Sequence, residues 1–359
     1  QVVNVVLKSK RKLQKWGIKM IITIVGAGMM GSAMATPAAD NGHTVRLVGT
    51  PLDREIIDRA QKDGYHKTLK RQLPAGTECY QIEQLANALD GCGLLIGGVS
   101  SFGVEWFGSE VLPKIPKSLP VLSITKGMHA DGEGNFTPFP DYLGAKPGCG
   151  GLSLNAVGGP CISFELADRH QTFVAFCGHD KEMLKKIKSV LATDYYHINI
   201  TDDVAGLEMA VAMKNAYALG VALAIGMAEA ENGIGCKEHY NPQAALFAQS
   251  VRETIRLLKI AGGRENEILY NAGDLYVTVF GGRTRMIGTL LGRGMRYSQA
   301  REKLKDVTLE SVAIAQVMIE ALKRRGEDLS EFPLLCHIYD MITKNITADV
   351  PWTSFEKTE

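Results

Sequence analysis

Four short stretches of this 359-residue chain carry side chains suited to chemistry. The first is Lys214-Asn215, set in the otherwise small and apolar run Met209–Leu219. Adjacent helical residues point about 100° apart, so a helix with one polar stripe does not easily accommodate both. A lysine drawn into apolar surroundings loses hydration, and its pKa falls toward the range useful for proton transfer. A lysine whose methylene stem snorkels to the surface does no chemistry. The residues alone admit both readings. The second stretch is Gly273-Asp274-Leu275-Tyr276-Val277-Thr278, followed by Gly281-Gly282-Arg283-Thr284-Arg285. A planar, permanently charged guanidinium among glycines suits a phosphate or carboxylate clamp, and Asp274 could set the charge of Lys214. A turn with surface arginines would account for the same letters. Third, Thr125-Lys126-Gly127 closes a predicted strand at the end where α/β sheets bind ligands.

The fourth stretch is Gly26-Ala27-Gly28-Met29-Met30-Gly31, which directly follows one predicted strand and opens a helix. This is G-x-G-x-x-G in the setting where it binds a dinucleotide. The first glycine permits the tight turn, the second lets a pyrophosphate approach the backbone, and the third lets helix and strand pack closely. The helix end then offers free N–H groups to the phosphates. Asn41-Gly42 ends the helix and Thr44–Val48 follows, closing a unit of about 30 residues. Pro37 should bend or shorten that helix. The acid that usually holds the adenosine ribose is displaced here: the strand ends Val48-Gly49-Thr50, and Asp53 and Arg54 come later. Asp53 could hold a ribose diol and Arg54 a 2′-phosphate, or both could begin a solvated helix. NAD is the expected cofactor, with NADP the alternative.

These stretches need a scaffold, and the patterning supplies one. Predicted strands at 21–25, 44–48, 94–99, 121–125, 154–157 and 173–177 alternate with helical segments such as 53–62 and 181–191. That alternation means βαβ units and a parallel sheet covered on both faces. From about residue 204 helical periodicity takes over, through 207–231, 244–260 and 309–325. The predicted fold is α/β: a Rossmann-type doubly wound domain over 20–203, then an all-helical substrate domain over 204–359. Residues 1–19 carry a local charge of +6 with no acid, against a chain total of +1, and Met20 opens the first strand. They are expected to be a leader outside the fold.

Composition narrows the class. A balance of 40 basic and 39 acidic residues gives no reason to expect nucleic acid as partner. The longest apolar run, 216–228, falls short of the roughly 20 residues of a spanning helix, so no membrane insertion is expected. Seven cysteines without metal-ligand spacing argue against a disulfide scaffold and a zinc site, and no metal is expected. A cytoplasmic protein, forming a homodimer through its apolar helical half, is the expectation.

Taken together, the segments resemble the NAD(P)-dependent sn-glycerol-3-phosphate dehydrogenase family. Gly26–Gly31, residues 41–47, residues 123–128, residues 159–165, residues 208–215 and residues 273–285 occur in family order across roughly 20–340. The resemblance implies interconversion of dihydroxyacetone phosphate and sn-glycerol 3-phosphate, feeding glycerophospholipid synthesis. It implies Lys214 as general acid and base, Asp274 as its partner, and Lys126 beside the reacting oxygen. Asn215, Thr278, Arg283 and Thr284 would bind the phosphorylated substrate. Gly26, Gly28, Met29, Met30, Gly31, Phe102, Lys126, Arg283 and Glu310 would contact the cofactor. The chain departs from the family where Thr284 replaces an asparagine, losing an amide's N–H donors, and where Ser311 replaces a glycine. Two other readings keep the motifs: a reductase of a non-phosphorylated keto acid of the ketopantoate-reductase type, and a dinucleotide sensor without turnover.

Overall fold

The computed structural model describes residues 19–356, so the leader expectation lies, apart from Lys19, outside the described residues. Eight strands form one sheet: β1 (Ile21–Val25), β2 (Thr44–Val48), β3 (Glu78–Tyr80), β4 (Cys92–Gly97), β5 (Val121–Ser123), β6 (Leu154–Gly158), β7 (Thr172–Cys177) and β8 (Tyr196–Thr201). Their spatial order is β3-β2-β1-β4-β5-β6-β7-β8. The first six are mutually parallel in the order of a dinucleotide-binding sheet. The central strands are apolar runs because both their faces are covered. In β4, Leu94 and Ile96 pack into one core and Leu95 into the other. Thr23, fully buried in β1, is satisfied by donating to the Ala88 carbonyl at 2.6 Å.

The sheet is mixed, which corrects the expectation of a parallel one. β7 runs antiparallel to β6, and β8 runs parallel to β7. The connection from β6 to β7 holds only the five-residue helix Ser163–Ala167, too little for the long helical crossover that keeps a chain parallel. The sequence reading missed β3, which is three residues long, and β8, whose Tyr196-His197-Ile198 start does alternate in burial. Pro37 acts as anticipated. The glycine-loop helix is split into α1 (Met29–Ala33) and α2 (Ala35–Asp40) at Met34, next to the Ala33 carbonyl that a proline at 37 cannot serve.

Helices take over after β8. The long predicted helix is also divided, into α3 (Val204–Ala212) and α4 (Lys214–Asn232), with Met213 between them. Around α4 pack α5 (Tyr240–Ile260), α6 (Ile268–Val279), α7 (Gly282–Gly292), α8 (Glu310–Arg325) and α9 (Pro333–Thr343). The letters of 273–285 therefore form two helices, where a turn was one reading. Close approach of α7 to α4 requires glycine. A Cβ on Gly288 would lie 2.5 Å from the Leu219 carbonyl oxygen, and one on Gly292 would lie 2.1 Å from that of Leu223. A buried carboxylate, Glu253 of α5, accepts from Tyr217, Gln249 and the Leu334 and Leu335 amides, tying the start of α9 into this core. The run 204–232 is long and apolar enough to cross a membrane, but 89% of its most apolar window is buried inside the protein. It is a core helix, wrapped by the others.

Candidate active site

The glycine loop between β1 and α1 is built by contact. Gly26 has φ +114°, and a Cβ there would sit 2.5 Å from Gly98 of the neighbouring strand end. A Cβ on Gly31 would meet the Gly26 carbonyl oxygen at 2.1 Å. Gly28 is the exception: a Cβ there meets nothing within 4 Å. The first and third glycines are therefore required by the protein's own packing, while the second faces open space. That is the cradle a pyrophosphate needs, so the residues present fit a dinucleotide. Met29 beside it is half-exposed, and Met30 receives the Cys161 thiol at 3.8 Å.

Asp53 is not left facing outward. Its Oδ2 accepts from the Ala27 amide at 3.1 Å, the Thr50 amide at 2.9 Å and the Thr50 hydroxyl at 2.8 Å. It braces the glycine loop against the end of β2. Arg54 pairs with Glu83 on the surface. His66, which sequence reasoning passed over, supports the same loop. Its Nδ1 accepts from the Leu69 amide, so Nε2 carries the proton and donates to the Ala27 carbonyl at 2.8 Å.

At the other end of the cleft three charged groups converge from three elements. Asp274 of α6 is 1% exposed, and its two oxygens are shared between Lys214 Nζ at 2.8 Å and Lys126 Nζ at 2.5 Å. Lys126 also donates to the Gly159 carbonyl at 2.7 Å. Both lysines keep a small opening to solvent, 15% for Lys126 and 17% for Lys214. The snorkelling alternative for Lys214 is thus not what the fold adopts. Burial lowers the Lys214 pKa; Asp274 opposes this and the Lys126 charge adds to it, with a net fall. Burial also acts against a charge on Lys126, but there Asp274 more than offsets it and the pKa is raised.

A second polar chain lies alongside. Glu310, at the start of α8, faces Asn215 Nδ2 at 3.4 Å, Ser101 Oγ at 3.4 Å and the Arg283 guanidinium at 4.0 Å. It links the loop after β4 to the helical half. Phe102 is largely exposed and, with Tyr297, Arg301, Leu309 and Val312, lines a cleft of about 350 Å³. Two expected substrate contacts are differently placed. Thr278 turns its hydroxyl onto its own helix, at 2.6 Å from the Asp274 carbonyl oxygen. Thr284 is buried, 8% exposed. Among the described residues no cluster could hold a metal ion. Ser101, Gly159 and Cys161 join the site through folding; only Cys161 and Gly159 stood in a motif that sequence reading had marked.

A mostly parallel dinucleotide sheet, a glycine cradle and a lysine–carboxylate–lysine cluster at the seam with a helical C-terminal region define an NAD(P)-dependent oxidoreductase. Comparison with known proteins specifies it further. Residues 21–184 match the profile of the NAD-dependent glycerol-3-phosphate dehydrogenase N-terminus, and residues 203–352 that of its C-terminus. The chain is 33% identical over 332 residues to an NADP(+)-dependent glycerol-3-phosphate dehydrogenase of Archaeoglobus fulgidus, covering 92% of this chain and 97% of that protein. In structure it is similar to glycerol-3-phosphate dehydrogenase from Coxiella burnetii, with a TM-score of 0.79 at 22% identity over 94% of this chain and 98% of that one. A ketopantoate reductase from Ralstonia eutropha is more distant, with a TM-score of 0.58 at 14% identity over 91% and 99% of the two chains. The protein belongs to the NAD(P)-dependent glycerol-3-phosphate dehydrogenase family.

The glycine cradle yields one test. Because nothing of the protein lies near a Cβ at position 28, Gly28→Val should fold normally, with an unchanged thermal midpoint. It should weaken NADH and NADPH binding by at least about tenfold, about 1.4 kcal/mol, in a fluorescence titration.

Proposed function

We propose that this enzyme reduces dihydroxyacetone phosphate to sn-glycerol 3-phosphate, and runs the reverse, with Lys214 as the proton donor and acceptor. The observation that carries the reading is the Asp274 carboxylate shared by two lysines, which leaves one net positive charge in a half-closed site. The bound nicotinamide supplies the hydride. As the carbonyl carbon is reduced, negative charge develops on its oxygen, and Lys126 is placed to stabilise that charge. Lys214 gives the oxygen its proton and becomes neutral, a state that its lowered pKa makes accessible. Asp274 keeps both ammonium groups aimed at one point.

Arg283 takes the substrate phosphate, with Asn215 beside it. Glu310 occupies the space between Arg283 and Asn215, so its carboxylate must yield as an anionic substrate enters. Ser101 and Phe102 bring the cofactor side of the cleft to the same point. For the cofactor, Asp53 turns its Oδ2 onto the glycine loop, and Arg54 would exchange its surface pairing with Glu83 for a 2′-phosphate. Arg54 is exposed nearby. The enzyme accordingly uses NADPH as well as NADH.

The product's place is the glycerol phosphate backbone of phospholipids. All seven cysteines are free, which supports a reducing, cytoplasmic setting. Leu269 and Tyr276 of α6 and Phe280 just past its end are exposed, which supports a homodimer; sedimentation that stays monomeric at all concentrations would exclude it.

Lys214→Ala should lower kcat by roughly 10²–10⁴ while leaving NADH affinity unchanged. In the native enzyme, ketone reduction needs a protonated Lys214. Its rate should therefore fall with rising pH through a value below the ordinary 10.5, and glycerol phosphate oxidation should rise through the same value. A pH profile without that limb, or a Lys214→Ala enzyme of native kcat, excludes the assignment. Arg283→Ala should cost about 2–4 kcal/mol in kcat/KM for the phosphorylated ketone. An unchanged kcat/KM would favour a keto acid without phosphate. Arg54→Ala should raise KM for NADPH and leave KM for NADH as it is; equal effects would remove Arg54 from the 2′-phosphate.

A further inference from the structure

We infer that Glu208 is a positioning residue for Lys126, holding from within α3 the backbone that carries that lysine. The inference rests on the role of Lys126 proposed above. Glu208 is 0% exposed, and acidic side chains are almost never fully buried without a partner. Its Oε2 accepts from the Gly127 amide at 3.3 Å, the residue next to Lys126. Its Oε1 makes no hydrogen bond of ordinary geometry, with the Phe139 backbone amide nearby as a weaker influence on the carboxyl, and no ion pair reaches it among the described residues. A fully buried polar atom left in that state needs a reason.

The backbone at Gly127 is constrained from a second side. Its φ is +150°, and a Cβ there would lie 2.6 Å from the Phe139 ring. No side chain fits at 127, so this residue is held by the ring against its Cα and by the Glu208 carboxyl at its amide. Lys126 extends from that clamped peptide to Gly159 and Asp274. The gripping residue is also on the helix that leads through Met213 into Lys214. One segment of chain therefore sets the origin of both lysines that meet on Asp274.

The surroundings of this carboxyl favour its neutral form. Burial first, and Asp141 further, push its pKa well above the ordinary value, against the opposing Gly127 and Phe139 amides and the Lys126 charge. A charged carboxylate in that place would compete with Asp274 for Lys126. An apolar side chain there would leave the Gly127 N–H buried and unpaired.

The test uses Glu208→Gln and Glu208→Leu, each alone and with Lys126→Ala. Thermal midpoint and NADH titration report the fold. Glutamine keeps a neutral carbonyl acceptor and should retain kcat within about threefold, whereas leucine should lower kcat by about 10- to 100-fold with unchanged NADH affinity, as a shifted catalytic group does. In the Lys126→Ala enzyme, leucine at 208 should cause no further loss, because the effect runs through Lys126. A folded Glu208→Leu enzyme with native kcat overturns the inference. So does a leucine effect that persists in full without Lys126, or a glutamine variant as impaired as the leucine one. If Glu208→Leu does not fold, Glu208→Asp, whose acceptor is withdrawn by one methylene, is read by the same criteria. If Lys126→Ala itself leaves kcat unchanged, the role of Lys126 falls and takes this inference with it. A Lys126→Ala loss beside a silent Glu208→Leu overturns this inference alone.

Discussion

The shared carboxylate of Asp274 is the interaction around which the site is organised. Two ammonium groups within hydrogen-bonding distance of one another's partner repel, and each loses hydration on entering the cleft. Neither would stay there alone. Asp274 gives one oxygen to each lysine, and the Gly159 carbonyl accepts a further hydrogen bond from Lys126. The balance is unequal, so burial prevails at Lys214 and the carboxylate prevails at Lys126. Two residues of one type, a few ångströms apart, thereby acquire different proton affinities. A catalytic site needs that difference when one group stabilises charge and the other moves a proton.

That arrangement requires three elements to meet at fixed depth. Lys126 comes from the loop after β5, Lys214 from the first turn of α4, and Asp274 from the middle of α6. The depth of α4 depends on small residues. Gly288 and Gly292 of α7 let the Leu219 and Leu223 carbonyls approach to distances that any Cβ would block. The break at Met213 allows α3 to lie on the sheet core, where Val204, Leu207 and Val211 pack against Ala156, Ala175 and Cys177. Beyond it α4 is centred in the helical core. Sheet and bundle thus share one helical run, and the cleft between them is held by covalent continuity as well as by packing.

The cofactor end shows the same economy on a smaller scale. The three glycines of the loop are not equivalent. Gly26 and Gly31 are demanded by the protein's own backbone contacts, whereas Gly28 leaves an opening. Asp53 and His66 hold that loop in place with one acceptor directed at the N–H and one donor directed at the C=O of Ala27. A loop braced in this way meets a pyrophosphate without having to reorganise.

Much of this was legible in the residues. The strand–glycine–helix unit, the doubly wound half and the helical half follow from local signals, period and turn chemistry, whereas Lys126, Lys214 and Asp274 stood only as candidates beside blander readings until the family resemblance singled them out. Such signals act over a few residues, and a single chain displays them. The antiparallel direction of β7 was not legible, because pairing direction depends on how a connection packs over the sheet, whereas β8 did carry an alternating signal in Tyr196-His197-Ile198-Asn199-Ile200-Thr201 that was passed over. Nor was the fate of Asp53, whose letter suits a ribose and whose carboxylate instead meets a backbone 26 residues away. The charge state of Lys214 was open until α6 brought Asp274 to it across 60 residues. Glu208 was only one letter of a motif until its helix closed on Gly127. The sequence by itself determined which groups are present and which local structures carry them. Tertiary structure alone decided which of them meet, and with that their burial and proton affinities, because hydration is lost and charges are paired only when distant segments pack together.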